Sequence, residues 1–446
     1  MTQTTDRPVA LAPADVHDVL RRNMLADGFE MVLDLDASAG STLVDARDGT
    51  AYLDLFTFFA SSALGMNHPA LASDETFRAE LLQAALNKPS NSDVYTVPMA
   101  RFVETFARVL GDPALPHLFF VEGGALAVEN ALKVAFDWKS RWNGAHGIVP
   151  SLGTKVLHLR HAFHGRSGYT MSLTNTDPNK TARYPTFDWP RISSPAWTPE
   201  MTDAEIEASE NIALDEARAA FAAAPHDIAC FIAEPIQGEG GDRHLRPQFL
   251  RAMQELCHAN DALFVLDEVQ AGCGMTGTAW TYQQLGLSPD VVAFGKKVQV
   301  CGVMAGGRVD EVADNVFAVS SRINSTWGGN LTDMVRSRRI LEVIESDGLI
   351  NRAADLGRHL LSRLDGLAAH HHAIRSVRGR GLMCAFSLSS TELRDAVVTA
   401  MRTDEHVLLL GCGTDSIRFR PALTVTAEQL DDGVAALDRV LTALGS

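Results

Sequence analysis

Three long apolar runs in the middle of the chain each end on a single ionisable residue. They are Ile228-Ala-Cys-Phe-Ile-Ala-Glu234, Ala262-Leu-Phe-Val-Leu-Asp267 and Asp290-Val-Val-Ala-Phe-Gly-Lys296. Short apolar runs bounded by polar segments predict strands buried on both faces, the pattern of a parallel sheet. Successive run ends lie roughly 30 residues apart, room for one crossover connection each time.

The rest of the pattern places these runs in a larger frame. Short strands over Ser41–Asp45 and Ala51–Leu55 flank a turn at Asp48-Gly49, and residues 76–330 alternate helical and strand-like stretches. After Asn330, Val335, Ile340, Leu341, Val343 and Ile344 recur at helical spacing. Strand-like Gly381–Ser387 and Ile417–Arg420 follow, then a closing helix near 427–443. The Ala-, Glu- and Pro-rich stretch 190–225 predicts a surface excursion and a helix, and no internal repeat is present. The expected fold is α/β: a mostly parallel central sheet in a large domain (76–330), and a smaller α+β domain assembled from both chain ends (1–75 and 331–446).

Composition narrows the partners. The chain has 446 residues, 46% of them hydrophobic, enough for a sizeable core. Lys and Arg number 39 against 55 acidic residues, a net charge of −16, which argues against nucleic acid or an anionic membrane surface as partner. The six cysteines are scattered without a Cys-x-x-Cys pair, the usage of a reduced, cytoplasmic protein. Met1–Pro8 lacks the apolar stretch of a signal peptide, and no apolar run is long enough to span a bilayer.

Candidate chemistry lies where the runs end. Ligands of open α/β sheets bind beyond the carboxyl ends of the strands, so Glu234, Asp267 and Lys296 are expected in one crevice. A lysine that forms a Schiff base must lose its proton, which suits a desolvated position near other positive charge. Gly295 before it permits close approach of a cofactor. Lys297 is read as a solvated neighbour, although sequence alone does not separate the two lysines. A carboxylate at Asp267 could keep a pyridine nitrogen protonated and so turn the ring into an electron sink; it would equally serve as a helix N-cap. Val269 would cover one ring face and Gln270 would reach the phenolic oxygen. Together these point to pyridoxal 5′-phosphate (PLP). Strand-like Leu118–Val121, the turn Glu122-Gly-Gly-Ala125 and the helical stretch Leu126–Phe136 offer a helix start for the phosphate.

Two other patterns lead elsewhere. Gly272-Cys-Gly-Met-Thr-Gly277 satisfies the dinucleotide spacing, but Asp267–Ala271 separates it from its strand, and the next acid comes too early. His158, His161 and His164 lack the spacing and fourth partner of a zinc site, and no metal is expected.

Several motifs, in order, resemble those of the class-III aminotransferases, PLP enzymes of fold type I. They are Glu234-Pro-Ile-Gln-Gly-Glu239, Leu266-Asp-Glu-Val-Gln270, Asp290–Lys296, Ser325-Thr-Trp-Gly-Gly-Asn330 and Arg418-Phe-Arg-Pro421. The resemblance implies that Gly124 and Ala125 cradle the phosphate, that Phe163 stacks opposite Val269, and that Ser325 and Thr326 reach the phosphate of a neighbouring subunit. Glu234 and Gln270 join the cofactor set. A homodimer with composite active sites is implied, with Asn87–Tyr95 at the interface. The family's usual Ser-Gly-Ala stands here as Gly123-Gly-Ala125, which removes one hydroxyl from the phosphate cradle.

The implied reaction carries the ε-amino group of L-lysine to 2-oxoglutarate. Alternatives are an ornithine or 4-aminobutyrate ω-aminotransferase, an aminomutase of the same fold, or a catalytically silent binder. Arg166 would grip a carboxylate far from the reacting amine and Arg418 one close to it. Glu239 would neutralise Arg418 while lysine reacts and swing aside for 2-oxoglutarate; a permanent Glu239–Arg418 pair is the competing reading. Phe56, Thr57, Phe58 and Phe59 are expected along the methylene slot, unless they are ordinary core, and Asn330 is expected beside the substrate.

Overall fold

The structure is a computed structural model that describes residues 11–445; the Met1–Pro8 reading concerns residues outside that range. A small hairpin, β1 (Thr42–Val44) and β2 (Ala51–Asp54), comes first. The central sheet then uses β3 (His117–Val121), β4 (Lys155–Leu159), β5 (Arg191–Ile192), β6 (Ile228–Ala233), β7 (Leu263–Asp267), β8 (Val291–Phe294) and β9 (Cys301–Ala305). Their spatial order is β3-β9-β8-β7-β6-β4-β5. The three apolar runs are adjacent parallel strands, β6, β7 and β8, and every residue of them is buried. Only β9 runs antiparallel to its neighbours β8 and β3. The sheet is therefore mostly parallel, and the fold is the α/β fold expected.

Helix α1 (Gly124–Ala145) lies on one face, packing Ala127, Val128, Ala131, Leu132, Ala135 and Trp138 into the core. Helix α2 (Pro247–Ala259) makes the crossover from β6 to β7 and buries Phe249, Leu250 and Met253 on the other face. After the large sheet come α3 (Leu331–Ser346) and α4 (Leu349–Ala368). A four-stranded antiparallel sheet follows, built from β10 (Arg375–Arg380), β11 (Met383–Ser387), β13 (Leu410–Cys412) and β14 (Ser416–Phe419), with β12 (Val407–Leu408) preceding β13. Strand β12 pairs in parallel with β2, which ties the C-terminal region to the N-terminal hairpin. The closing helix α5 (Ala427–Ala443) starts with a Thr426–Gln429 capping box. Among the described residues, no helix is long and apolar enough to cross a membrane.

Candidate active site

Beyond the carboxyl ends of β6, β7 and β8 lies a cavity of about 730 Å³, and Glu234, Asp267 and Lys296 all line it. The three run-terminal residues converge as their strand positions demand. Lys296 follows Gly295, where an added Cβ would come 2.8 Å from Cys301 Sγ and 3.5 Å from Val269 Cγ1. A side chain there would displace the wall, so the glycine is a spatial requirement. Lys296 itself adopts φ 48°, a left-handed conformation that is costly for a lysine. Burial, reinforced by Arg418, holds its ammonium below the usual lysine range.

Asp267 Oδ2 lies 2.7 Å from Nδ1 of the buried His164, and its Oδ1 accepts from Val269 N at 3.0 Å. The local turn and the side-chain bond together fix the carboxylate. Glu234 accepts from Phe163 N at 2.9 Å and Gly238 N at 3.2 Å. Burial, with Asp267 beside it, still pushes its carboxyl well above the usual range.

At the start of α1, Gly123 has φ 104°, a conformation glycine adopts without strain. An added Cβ on Gly124 would stand 3.1 Å from Val269 Cγ1. Gly124, Ala125, Phe163, Val269 and Gln270 all line the cavity. Gln270 is held from behind by Arg420, whose Nε donates to its Oε1 at 3.1 Å. Arg420 is itself paired with the buried Asp242. A glycine cradle at a helix start, a fixed carboxylate and a desolvated lysine around one apolar-walled cavity fit PLP.

Arg418, only 2% exposed on β14, does not itself line the cavity but lies behind Glu239, which does. Its Nη2 donates to Glu239 Oε2 at 2.8 Å, while its buried Nε and Nη1 have no partner among the described residues. Glu239 Oε1 takes a second cation, Lys180 Nζ, at 2.5 Å. Burial works against ionisation of Glu239, but Arg418 and Lys180 outweigh it and hold the carboxyl below its ordinary range. Arg166 stands at the cavity mouth, on a loop fixed by Glu129, which accepts from Ser167 Oγ and Tyr169 N, each at 2.7 Å. The Phe59 ring centroid lies 6.0 Å from Lys296 Nζ and 6.0 Å from Arg418 Cζ.

Several expectations need correction. Lys297 is buried, not solvated: its Nζ donates to the carbonyls of Gln270 at 3.0 Å and Ala60 at 3.1 Å. Of the four residues expected along the slot, only Phe59 lines the cavity. Phe56 packs edge-on against Phe29, and Thr57 Oγ1 donates to the Arg420 carbonyl. The cause is a turn over Thr57–Ala60, in which four consecutive non-glycine residues have φ of 42–66°. Ser325 and Thr326, expected at a neighbouring subunit's phosphate, lie outside this chain's own cavity in keeping with that expectation, whereas Asn330, expected beside the substrate, does not line the cavity. The carbonyls of Ser325 and Thr326 accept from the Ser92 and Ser90 hydroxyls. Asn330 caps α3, accepting from Thr332 N at 2.9 Å.

Sequence reasoning also missed His164 and Lys180. In the sequence His164 stands only as a neighbour of His158 and His161, yet the three have separate partners: His158 Nε2 accepts from Arg191 Nε at 3.0 Å, and the His161 backbone N donates to Asn175 Oδ1. The usable signal was its place between Phe163 and Arg166. Nothing in the sequence around Lys180 marks it. The glycines of the dinucleotide-like run serve packing, since an added Cβ on Gly272 would meet the Trp280 ring and one on Gly277 would meet Ala354.

A mostly parallel sheet with a strand-end lysine and aspartate facing a glycine-capped helix start defines a PLP-dependent enzyme of fold type I. Residues 25–441 match the family described as aminotransferase class-III, and the chain belongs to that family. It is 66% identical over 441 residues to the L-lysine-epsilon aminotransferase of Mycobacterium tuberculosis (strain ATCC 25618 / H37Rv), across 98% of each chain. It is 61% identical over 435 residues to the L-lysine-epsilon aminotransferase of Streptomyces clavuligerus, covering 96% of this chain and 94% of that one. The fold superposes with a TM-score of 0.96 on a solved lysine aminotransferase from M. tuberculosis in the internal aldimine form. That match has 66% identity and covers 97% of this chain and 100% of the other.

Proposed function

We propose that the protein transfers the ε-amino group of L-lysine to 2-oxoglutarate, giving 2-aminoadipate 6-semialdehyde and glutamate. Its high identity to the lysine aminotransferases supports the donor. The observation that carries the acceptor is the half-made pair at Arg418. A permanent structural ion pair would satisfy the guanidinium, whereas here Glu239 occupies one nitrogen and leaves two buried donors open. A carboxylate arriving at Arg418 would use those donors in the bidentate manner arginine favours. Arg166 takes the second carboxylate of 2-oxoglutarate, and the α-carboxylate of lysine when the donor binds.

Lys296, Asp267, Gly124, Ala125, Phe163, Val269 and Gln270 would hold PLP, which would supply an electron sink for the pair released when the donor's ε-carbon loses its proton. Lys296 Nζ takes that proton as base and returns one as acid, a role eased by its depressed proton affinity. Asp267, oriented by His164, holds a proton on the pyridine nitrogen. Glu239 neutralises Arg418 while the uncharged methylene chain of lysine lies alongside Phe59. An unpaired buried arginine would otherwise cost roughly 3–5 kcal/mol.

A homodimer belongs to the same reading. Leu82, Leu86, Val94, Tyr95, Val97 and Trp327 are exposed large apolar side chains, of the kind a subunit interface would cover. Ser325 and Thr326 lie beside them, tied to Ser90 and Ser92, as expected of residues serving a neighbour's site. A cytoplasmic location is supported by six unpaired cysteines, five of them buried. The test is product analysis with lysine, ornithine and 4-aminobutyrate as competing donors to 2-oxoglutarate. Preferred formation of the cyclised semialdehyde from lysine is expected, and preference for either other donor would replace this assignment.

A further inference from the structure

Glu239 has a cation on each carboxylate oxygen, Arg418 and Lys180, and of the two Lys180 lines the cavity. Arg418 projects from β14 at 2.8 Å, and Lys180 comes from the one-turn helix Pro178–Thr181 at 2.5 Å. That turn is capped by Asp177, which accepts from Asn179 N at 2.9 Å. Lys180 lines the cavity, with its Nζ 5.5 Å from the Phe163 ring centroid and its side chain a quarter exposed.

We propose that Lys180 is a positioning residue for Glu239, the fixed partner on which its carboxylate pivots when a keto acid's carboxylate takes Arg418. The inference rests on the Glu239 switch described above and deepens it. A carboxylate leaving Arg418 without another partner would be a mostly buried, uncompensated charge, an expensive state. With Lys180 on Oε1, Glu239 releases Arg418 through Oε2 and keeps one ion pair throughout. Charge balance points the same way. With 2-oxoglutarate bound, three carboxylates (two on the acid and Glu239) share this side of the cavity, and Arg418, Arg166 and Lys180 supply three cations. Without Lys180 one anion is left over. With lysine bound the anions are its α-carboxylate and Glu239, and its α-ammonium adds a cation of its own, so Lys180 matters less. Lys180 therefore selects for the dicarboxylate half-reaction.

The test compares Lys180→Met, Lys180→Arg and the parent holoenzyme, with glutarate as an unreactive dicarboxylate measured by calorimetry and with KM values for 2-oxoglutarate and lysine. In Lys180→Met the glutarate Kd and the 2-oxoglutarate KM should rise about ten-fold relative to the lysine KM, within the usual range of coupling between sites. Lys180→Arg should recover most of the loss. In a Glu239→Gln background, Lys180→Met should add no further effect on glutarate, because the charge it positions is gone. Equal shifts for lysine and 2-oxoglutarate, or an undiminished glutarate effect in the Glu239→Gln background, would overturn the proposal. If Glu239→Gln alone leaves the lysine-to-2-oxoglutarate preference unchanged, the switch itself fails. If Glu239→Gln moves that preference and Lys180→Met does not, only the role of Lys180 fails.

Discussion

Asp267 and His164 form a buried pair, Oδ2 to Nδ1 at 2.7 Å, in the lining of the active-site cavity. The imidazole donates to a carboxylate at a strand end, so it sets the direction of the group that meets the pyridine nitrogen. Its other nitrogen, Nε2, has no partner among the described residues. His164→Phe keeps the ring volume and removes the donor. It should weaken PLP binding and lower kcat by about ten-fold or more, the scale of losing one charge-assisted hydrogen bond. Cofactor titration of the apoprotein measures the first effect and single-turnover rates the second. An unchanged cofactor affinity would mean that the Val269 amide alone positions Asp267.

The two adjacent lysines have opposite fates. Lys296 Nζ faces the cavity beside Phe59, whereas Lys297 Nζ is buried between two backbone carbonyls. Lys296→Ala should abolish the visible absorption of lysine-bound cofactor, and Lys297→Met should retain it. Retention in Lys296→Ala would transfer the assignment to Lys297.

Lys297 carries a pH-dependent stability signature. Burial first, then Lys296 and Arg420 nearby, lower its proton affinity to about 7 from 10.5. Between those values the unfolded chain holds a proton on this amine that the folded chain does not, so stability rises with pH across that window. Below about pH 7 both states are protonated and the full burial penalty applies. Thermal unfolding of the parent should therefore gain on Lys297→Met as pH is raised from 7 towards 10. A constant difference across that range would show that the amine is not buried as described.

Glu239→Ala leaves Arg418 unpaired when lysine binds but not when 2-oxoglutarate or glutamate does. The lysine half-reaction should slow about a hundred-fold, the scale of a few kcal/mol, and the glutamate half-reaction by much less. Stopped-flow spectra of the two half-reactions provide the comparison, and equal slowing would indicate a permanent structural pair.

The fold was legible because its strongest signal is burial. A strand covered on both faces leaves an uninterrupted apolar run, and the ionisable residue that ends it is placed by the sheet itself. Hence Glu234, Asp267 and Lys296 were found together from spacing alone. The same signal says nothing about direction, so β9 reads like its neighbours although it runs antiparallel to them. Side-chain direction in irregular turns was also illegible. Lys296 and Lys297 sit on a short 3₁₀ turn that sends neighbours to opposite sides. Thr57–Ala60 takes left-handed angles with no glycine to announce them, which buries Phe56 and Thr57 and leaves Phe59, half exposed, as cavity wall. Lys180 meets Glu239 across 59 residues of sequence, a contact that only the folded chain reveals.

The most direct measurement is the absorption spectrum of the holoenzyme on adding L-lysine alone and then 2-oxoglutarate. Lysine should bleach the visible cofactor band without any keto acid present, and 2-oxoglutarate should restore it with release of glutamate. A band that lysine leaves untouched, or that 2-oxoglutarate fails to restore, would contradict the assignment.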